Sequence, residues 1–509
     1  MHDVLRTPEL RGLIFSDVEE KKVLSSLART CKDFLEPALG RLWHSVSLRE
    51  FVLSLPEWKR PCDFEEKVTR DDITAEDVAR MLFYGKFVRS LDLCDIDEWL
   101  CRDAVRALVR ALSGQHVVPN IRTLLYDGSL GCNAIPAFIS PSVNDITAVL
   151  SSEYLRPDTV QVAVRHFVEG TEELEQLDLE FRWDHNLNSL LQPLLTHWTT
   201  LSSLSVDLSH CDTATVLAIG ALPRLEELAM TMRHASKPLP NLRDIVSIPE
   251  NRTLKQLDLS ILWDERDLRA YMGMGTDIIA DLLAILRPTA VTTLGVNGRF
   301  GPDQLHHHCQ SIGAYLSPPR LRSIALRTFL LSSMASIEDI RPLMGCHGLE
   351  SLTLSDIGFH PTAGDIELMG KAWPNLRCLQ LDEPRNRDSR DFTLSDLLVF
   401  AQNFPRLDEL HLFLSASGIQ AFDVASLPAV REHKSLRKLL VGNARIDEQA
   451  EVIAAFLAHF FPNLQPEGLR YGFYERMRPS QVPKGWSAMR ELMQTLLDAR
   501  RTEIHGKSG

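Results

Sequence analysis

A chain of 509 residues exceeds what one hydrophobic core can organise, so it must divide into domains or repeat itself. With 44% hydrophobic and 24% charged residues it has the composition of a folded protein, so long disorder is not the default. A net charge of −13 argues against nucleic acid or an anionic membrane as the main partner, since both select basic patches.

The N-terminal residues read as three short helices. Thr7-Pro8-Glu9 is a helix start: a hydroxyl at the cap, Pro at the first helical position, and an acid at the positive helix end. Leu10, Leu13 and Ile14 follow at helical spacing. Leu24, Leu27, Ala28 and Cys31 mark a second helix, and Leu35, Ala38, Leu39 and Leu42 a third, closed by Trp43. One apolar stripe per helix predicts a compact three-helix bundle over 4–46.

Pro8-Glu9-Leu10, Ile14-Phe15, the Leu24/Leu27/Cys31 helix and the Leu42-Trp43 pair together resemble an F-box. The resemblance extends to F-box-like openings of fungal proteins, including the stretch Ile73-Thr74-Ala75-Glu76-Asp77-Val78. It departs in having Thr7 before the Pro, where Leu is usual, and Gly12 inside the first helix. F-boxes dock the Skp adaptor of cullin-based ubiquitin ligases. The resemblance thus implies an adaptor surface at Pro8, Glu9, Leu10, Leu13, Ile14 and Leu27, with a Skp-type adaptor and its cullin complex as partners. The alternative role for the same bundle is a cap on one end of a repeat array.

Residues 47–86 read as a linker with some helix. From 88 to 436 one motif recurs thirteen times: apolar, two variable residues, apolar, one variable, apolar. Leu174/Leu177/Leu179 is its clearest copy, and successive copies start 22 to 37 residues apart. The fourth and sixth positions point to one side of a strand. Helical patterns lie between, such as Leu190/Leu194/Trp198 and Leu394/Leu397/Leu398/Ala401, several after cap-like residues as at Thr393 and Thr213. One strand and one helix cannot bury their own apolar faces, but stacked copies can. The pattern over 87–475 resembles ribonuclease-inhibitor-like leucine-rich repeats. That class implies an α/β solenoid with a parallel concave sheet and helices on the convex side. Ile357 and Ala444 stand where that family usually has Asn or Cys, so its buried polar ladder is absent there. Residues 476–509 read as a C-terminal helix and cap, with Met489, Leu492, Leu496 and Leu497 on one face.

Positions three, five and seven of each copy face the open side of the sheet. Ten are acidic: Asp92, Asp127, Asp145, Asp178, Glu180, Asp207, Glu227, Asp258, Asp382 and Glu409; only Arg327 and Lys438 are basic. Asp178, Glu180, Asp207, Glu227, Asp258, Asp382 and Glu409 are therefore the candidate contacts for a protein substrate carrying Lys or Arg. The competing reading is a charged surface that keeps an exposed sheet soluble.

No motif for catalysis stands out. His306, His307 and His308 are adjacent on a helical pattern, so their side chains fan out by about 100° each and do not converge on one metal. Gly273-Met274-Gly275 lacks the third Gly of a dinucleotide loop, and Gly506-Lys507-Ser508 lacks the first Gly of a phosphate loop. No cofactor or metal is expected. Nine scattered cysteines without a C-x-x-C pair, and no leader or ~20-residue apolar run, point to an intracellular chain. The expected function is that of a non-catalytic substrate-recognition subunit of a Skp–cullin–F-box ligase; the alternative is a repeat scaffold unconnected with ubiquitination.

Overall fold

The computed structural model describes residues 7–52, 73–94, 107–112, 114–151, 155–182, 188–208, 212–233, 250–262, 278–298, 302–328, 335–381, 392–412, 414, 432–441, 450–471 and 484–506. It forms two compact units, Met1–Arg233 and His234–Gly509.

The first unit opens with α1 (Pro8–Ser16), α2 (Lys21–Ala28) and α3 (Lys32–Leu42). Phe15, Leu24 and Ala38 form their buried centre, with Leu27, Ala28, Phe34 and Leu42 packed around it. Phe15 meets Phe34 edge-on at 5.5 Å, and Arg11 donates to the Asp33 carbonyl, tying α1 to α3. The three expected helices are present, but the buried face of α1 is not the expected one. Phe15 is 3% exposed, whereas Leu13 is 64% exposed. An almost wholly apolar turn, Leu13-Ile14-Phe15, offers two possible faces, and the aromatic ring has more area to bury. Thr7 occupies the cap position but its hydroxyl accepts no bond, and Cys31 begins α3 rather than ending α2.

A strand follows at once. β1 (Ser45–Ser47) pairs in parallel with β2 (Ser90–Asp92), so the sheet begins inside the stretch read as bundle and linker. The motif is there after all, as Trp43/Val46/Leu48. Between β1 and β2 run α4 (Leu48–Val52) and α5 (Ala75–Gly85). Thr74 and Asp77 cap α5 reciprocally: Thr74 N donates to Asp77 Oδ2 (3.1 Å) and Asp77 N to Thr74 Oγ1 (3.2 Å). Trp43 stacks on Tyr84 at 4.8 Å and meets Phe51 edge-on.

The unit continues through β3 (Thr123–Tyr126), β4 (Asp145–Ser151), β5 (Gln176–Arg182), β6 (Ser203–Leu208) and β7 (Glu227–Arg233), each parallel to the one before. The fourth motif position is in register throughout: Val46, Leu91, Leu124, Ile146, Leu177, Leu204 and Leu228 form one row. Helices such as Pro157–Gly170, Asn188–His197 and Thr213–Gly220 connect the strands. Thr213 is not a cap; Asp212 is, accepting from Thr215 N at 2.7 Å.

The second unit repeats the scheme with β8 (Gln256–Leu262), β9 (Thr293–Gly298), β10 (Ser323–Thr328), β11 (Ser351–Ser355), β12 (Cys378–Leu381), β13 (Glu409–Leu412), β14 (Lys438–Val441) and β15 (Leu469–Tyr471). Its row runs Leu257, Leu294, Ile324, Leu352, Leu379, Leu410, Leu439 and Leu469. β2 to β14 are the thirteen expected strands; β1 and β15 were not anticipated, the latter because its motif begins on Pro466. The two most exposed of the 39 apolar motif positions in β2–β14 are Leu177 and Leu381, at 3% each. This is a leucine-rich-repeat solenoid: no strand or helix closes its own core, and each borrows from its neighbour.

Buried polar side chains are satisfied by local bonds. Trp198 Nε1 donates to Thr171 Oγ1 (2.9 Å), which donates to the Phe167 carbonyl. Trp373 Nε1 donates to the Leu343 carbonyl. Asn251 Oδ1 accepts from Thr253 N and Leu254 N, closing a turn. Ile357 is buried, and Ala444 lies outside the described residues.

The chain's last helix, Lys484–Gly506, packs on Ala450–Phe460. It buries Met489, Met493 and Leu497, spaced four apart, so Met489 and Leu497 of the expected stripe face inward while Leu492 and Leu496 are exposed and Met493 takes the place between. Arg500 donates to the carbonyls of Ala458 and His459, satisfying the open end of the preceding helix, and pairs with Glu432.

Candidate functional site

Two surfaces collect the residues singled out by sequence. The first is the outside of the N-terminal bundle. Among the described residues eleven large apolar side chains are exposed, and five belong to α1–α3: Leu10, Leu13, Ile14, Val23 and Leu35. Burial of Phe15 turns Leu10, Leu13 and Ile14 outward together, since positions three and four apart share a helix face. Glu9 is exposed beside them at the start of α1. Leu27 behaves differently: it is half-buried against the Phe15–Leu24–Ala38 core. Of the six residues assigned to an adaptor, four are thus exposed and one supports the core. Pro8 begins the helix. Val23 and Leu35, adjacent in type and exposure, were missed because each was read as interior or unassigned.

The second surface is the open face of the sheet. Seven of its ten acidic positions fall in the first unit, on β2–β7 and the turns that follow, without an opposing base among the same motif positions. They are not equivalent. Asp92 Oδ1 accepts from Cys94 N (2.8 Å), and Asp127 Oδ1 from Ser129 N (2.9 Å), so both close the turns after their strands. Between them, burial pushes the Cys94 thiol up to about 12, with the two carboxylates adding to it. The remaining five lie together on β4–β7. Glu180 and Asp207 are register partners, and Asp178 is the partner of Thr147 and Ser205. Adjacent strands bring such partners within about 4.8 Å. Asp145 has a raised pKa, chiefly from burial and further from Asp178, although a bond with Thr123 opposes it. Glu227 accepts weakly from Ser203 Oγ at 3.3 Å.

In the second unit the two described acidic positions, Asp258 and Glu409, are engaged. Glu409 bonds His411 (2.7 Å) and Lys438 (3.2 Å). Burial pushes its carboxyl up, but these two bonds outweigh it and hold the pKa below the ordinary value. Asp258 accepts from Gln256 Nε2 and lies across Gly295 on β9, where a Cβ would stand 2.0 Å from its Oδ1. Asp382 lies outside the described residues. The expected acidic face therefore resolves into five carboxylates gathered on β4–β7, two turn-closing aspartates before them, and, in the second unit, Asp258 and Glu409, each engaged within its own strand or the next.

The three consecutive histidines diverge: His306 bonds the Glu338 carbonyl, His307 is exposed and His308 is buried. Among the described residues no helix is long and apolar enough to cross a membrane.

No protein-family model and no curated protein matches this sequence. Solved structures do. A leucine-rich-repeat-containing protein, LegL7 of Legionella pneumophila, aligns at 13% identity and TM-score 0.31, over 64% of this chain and 92% of its own. The yeast Rad7–Elc1 complex aligns at 15% identity and TM-score 0.38, over 85% and 92%. A TLR13–ssRNA13 complex aligns at 13% and 0.35, over 75% of this chain and 53% of its own.

Proposed function

We propose that the chain is the substrate-recognition subunit of a Skp–cullin–F-box ubiquitin ligase, without catalytic residues of its own. The bundle α1–α3 docks a Skp-type adaptor, and the open face of the sheet holds a protein substrate. The observation that carries this reading is the exposed Leu10, Leu13, Ile14, Val23 and Leu35 on a bundle that already has its own core. A helical cap needs a polar outer face to stay soluble. Five large apolar groups facing solvent on three short helices serve instead to be covered by a partner.

Copurification with a Skp-type adaptor tests it. The unmodified chain is expected to hold the adaptor through size exclusion, and the double variant Leu13→Asp/Ile14→Asp to lose it. Both side chains are exposed, so the variant keeps the circular dichroism and melting of the parent. Failure of the unmodified chain to hold the adaptor overturns the proposal.

On the substrate side, Asp145, Asp178, Glu180, Asp207 and Glu227 favour a segment bearing Lys or Arg. Removing Asp178, Glu180 and Asp207 together (each to Ser) is expected to weaken substrate capture, as is raising salt to roughly 0.5 M, where charges are screened within a few ångströms.

A further inference from the structure

Within each unit a ladder of side chains runs along the strand entries, at the second position of the motif. In the first three copies it holds His44, Arg89 and Arg122. Their backbones are locked in step: Arg89 N and Ser90 N both donate to the His44 carbonyl, and Arg122 N and Thr123 N to the Arg89 carbonyl. Consecutive rungs therefore stand about 4.8 Å apart, one strand spacing. Such stacking of like charges is unfavourable unless something neutralises it. On the second unit's ladder, neighbouring rungs do so for one another: Arg322 lies 3.6 Å from Glu350, and Arg437 lies 3.5 Å from Asp408. At His44, Arg89 and Arg122 no carboxylate is within ion-pair distance among the described residues.

The three rungs open onto a cavity of about 370 Å³, whose wall includes Phe87, Ser90 and Thr123 but, among the described residues, no acidic side chain. Arg89 is held at its edge by bonds from Nη1 to the carbonyls of Lys86 (2.9 Å) and Val88 (3.1 Å). Lys86 Nζ stands 4.7 Å from the Phe87 ring centre and is already paired with Glu36. In a chain of net charge −13, the charged side chains lining this pocket are basic, beside Phe87 and the Ser90 and Thr123 side chains, the Thr123 hydroxyl being bonded to Asp145 on the next strand. Its volume matches small-molecule sites, which begin at about 300 Å³, and is generous for a bare ion.

We propose that this cavity binds a small phosphate monoester, its phosphoryl oxygens on His44, Arg89 and Arg122 and its organic group against Phe87. Arginine forks suit a phosphoryl group, which presents several acceptor oxygens at once. Burial first, then Arg41, Arg89 and Arg122, lower the pKa of His44. A bound dianion would offset those three cations. This inference does not depend on adaptor docking, since none of the rungs lies on α1 or α2.

Calorimetry on the full chain tests it, at constant ionic strength, with inorganic phosphate, phenyl phosphate and phenol as probes. Phenyl phosphate is expected to bind one site saturably, more tightly than inorganic phosphate, and phenol not at all. Arg122→Gln and Arg89→Gln are each expected to weaken it about tenfold to hundredfold, the worth of one charge-assisted bond. Arg322→Gln, on a neutralised rung, is the control and leaves affinity unchanged. Because Arg122 is exposed, its variant keeps the parent melting temperature. Absence of saturable binding by either phosphate, or binding indifferent to Arg122→Gln, overturns the site. Equal affinity for phenyl phosphate and inorganic phosphate overturns the role given to Phe87.

Discussion

Alternation on a single strand offers a sharp test of the repeat. On β6, Leu204 is 1% exposed in the row between Leu177 and Leu228, while Ser205 beside it is half-buried on the open face. Leu204→Ala removes three carbons at about 0.8 kcal/mol each, and the cavity left between two packed neighbours adds to that, for a loss of about 3–4 kcal/mol. Ser205→Ala removes one hydroxyl from the other face and is expected to cost under about 0.5 kcal/mol. Urea unfolding by circular dichroism reads the difference, with hydrogen exchange over 174–230 to localise it, since repeat arrays can open in segments. Equal losses at the two positions, or a larger one at Ser205, would mean that the register is wrong by one residue and that the faces are exchanged.

Further outcomes follow from single contacts. Thr171→Val leaves the buried Trp198 indole N–H without its acceptor and should cost about 1–3 kcal/mol in the same unfolding assay, whereas Thr171→Ser retains the hydroxyl and most of the stability. Thr393→Ala deprives Asp396 N of its capping oxygen and should destabilise the Leu394–Asn403 repeat by about 1 kcal/mol. His433 is neutral by geometry: Nδ1 accepts from Leu436 N while Nε2 donates to the Phe404 carbonyl. Burial lowers its pKa, against the smaller opposing pull of the Phe404 bond. The unfolded chain therefore takes up this proton first as pH falls. The contribution of His433 is complete above the ordinary histidine value of about 6.5 and is lost below it. Melting between pH 7.5 and 5.5 should fall more steeply for the parent than for His433→Gln, which does not titrate; parallel profiles would show that the histidine is not the sensor.

How much was legible in the sequence depended on how many constraints bore on each residue. The thirteen strands β2–β14 were readable because three apolar positions recur at fixed spacing and all three face one core. β1 carries the same spacing, but its first position is Trp43, which also ends a helix, and the helical reading absorbed it. β15 starts its motif on Pro466, a residue that signals a turn more strongly than a strand. Faces within short apolar helices were less readable. In α1 and in the final helix, neighbouring stripes were both apolar, and only packing chose Phe15 over Leu13 and Met493 over Leu492. That error has a functional consequence, because the residues turned out of the core are the ones assigned to the adaptor. The acidic face was legible as a count but not as a site, since Lys438 and His411 reach Glu409 from positions whose charge was counted separately.

Hydrogen exchange of the full chain with and without a Skp-type adaptor tests the central claim most directly. The expected result is slowed exchange across α1 and into α2 and α3, with the strands β5–β7 unchanged and left open for substrate. Unaltered exchange over residues 8–42 at saturating adaptor, or protection confined to the open face of the sheet, would contradict it.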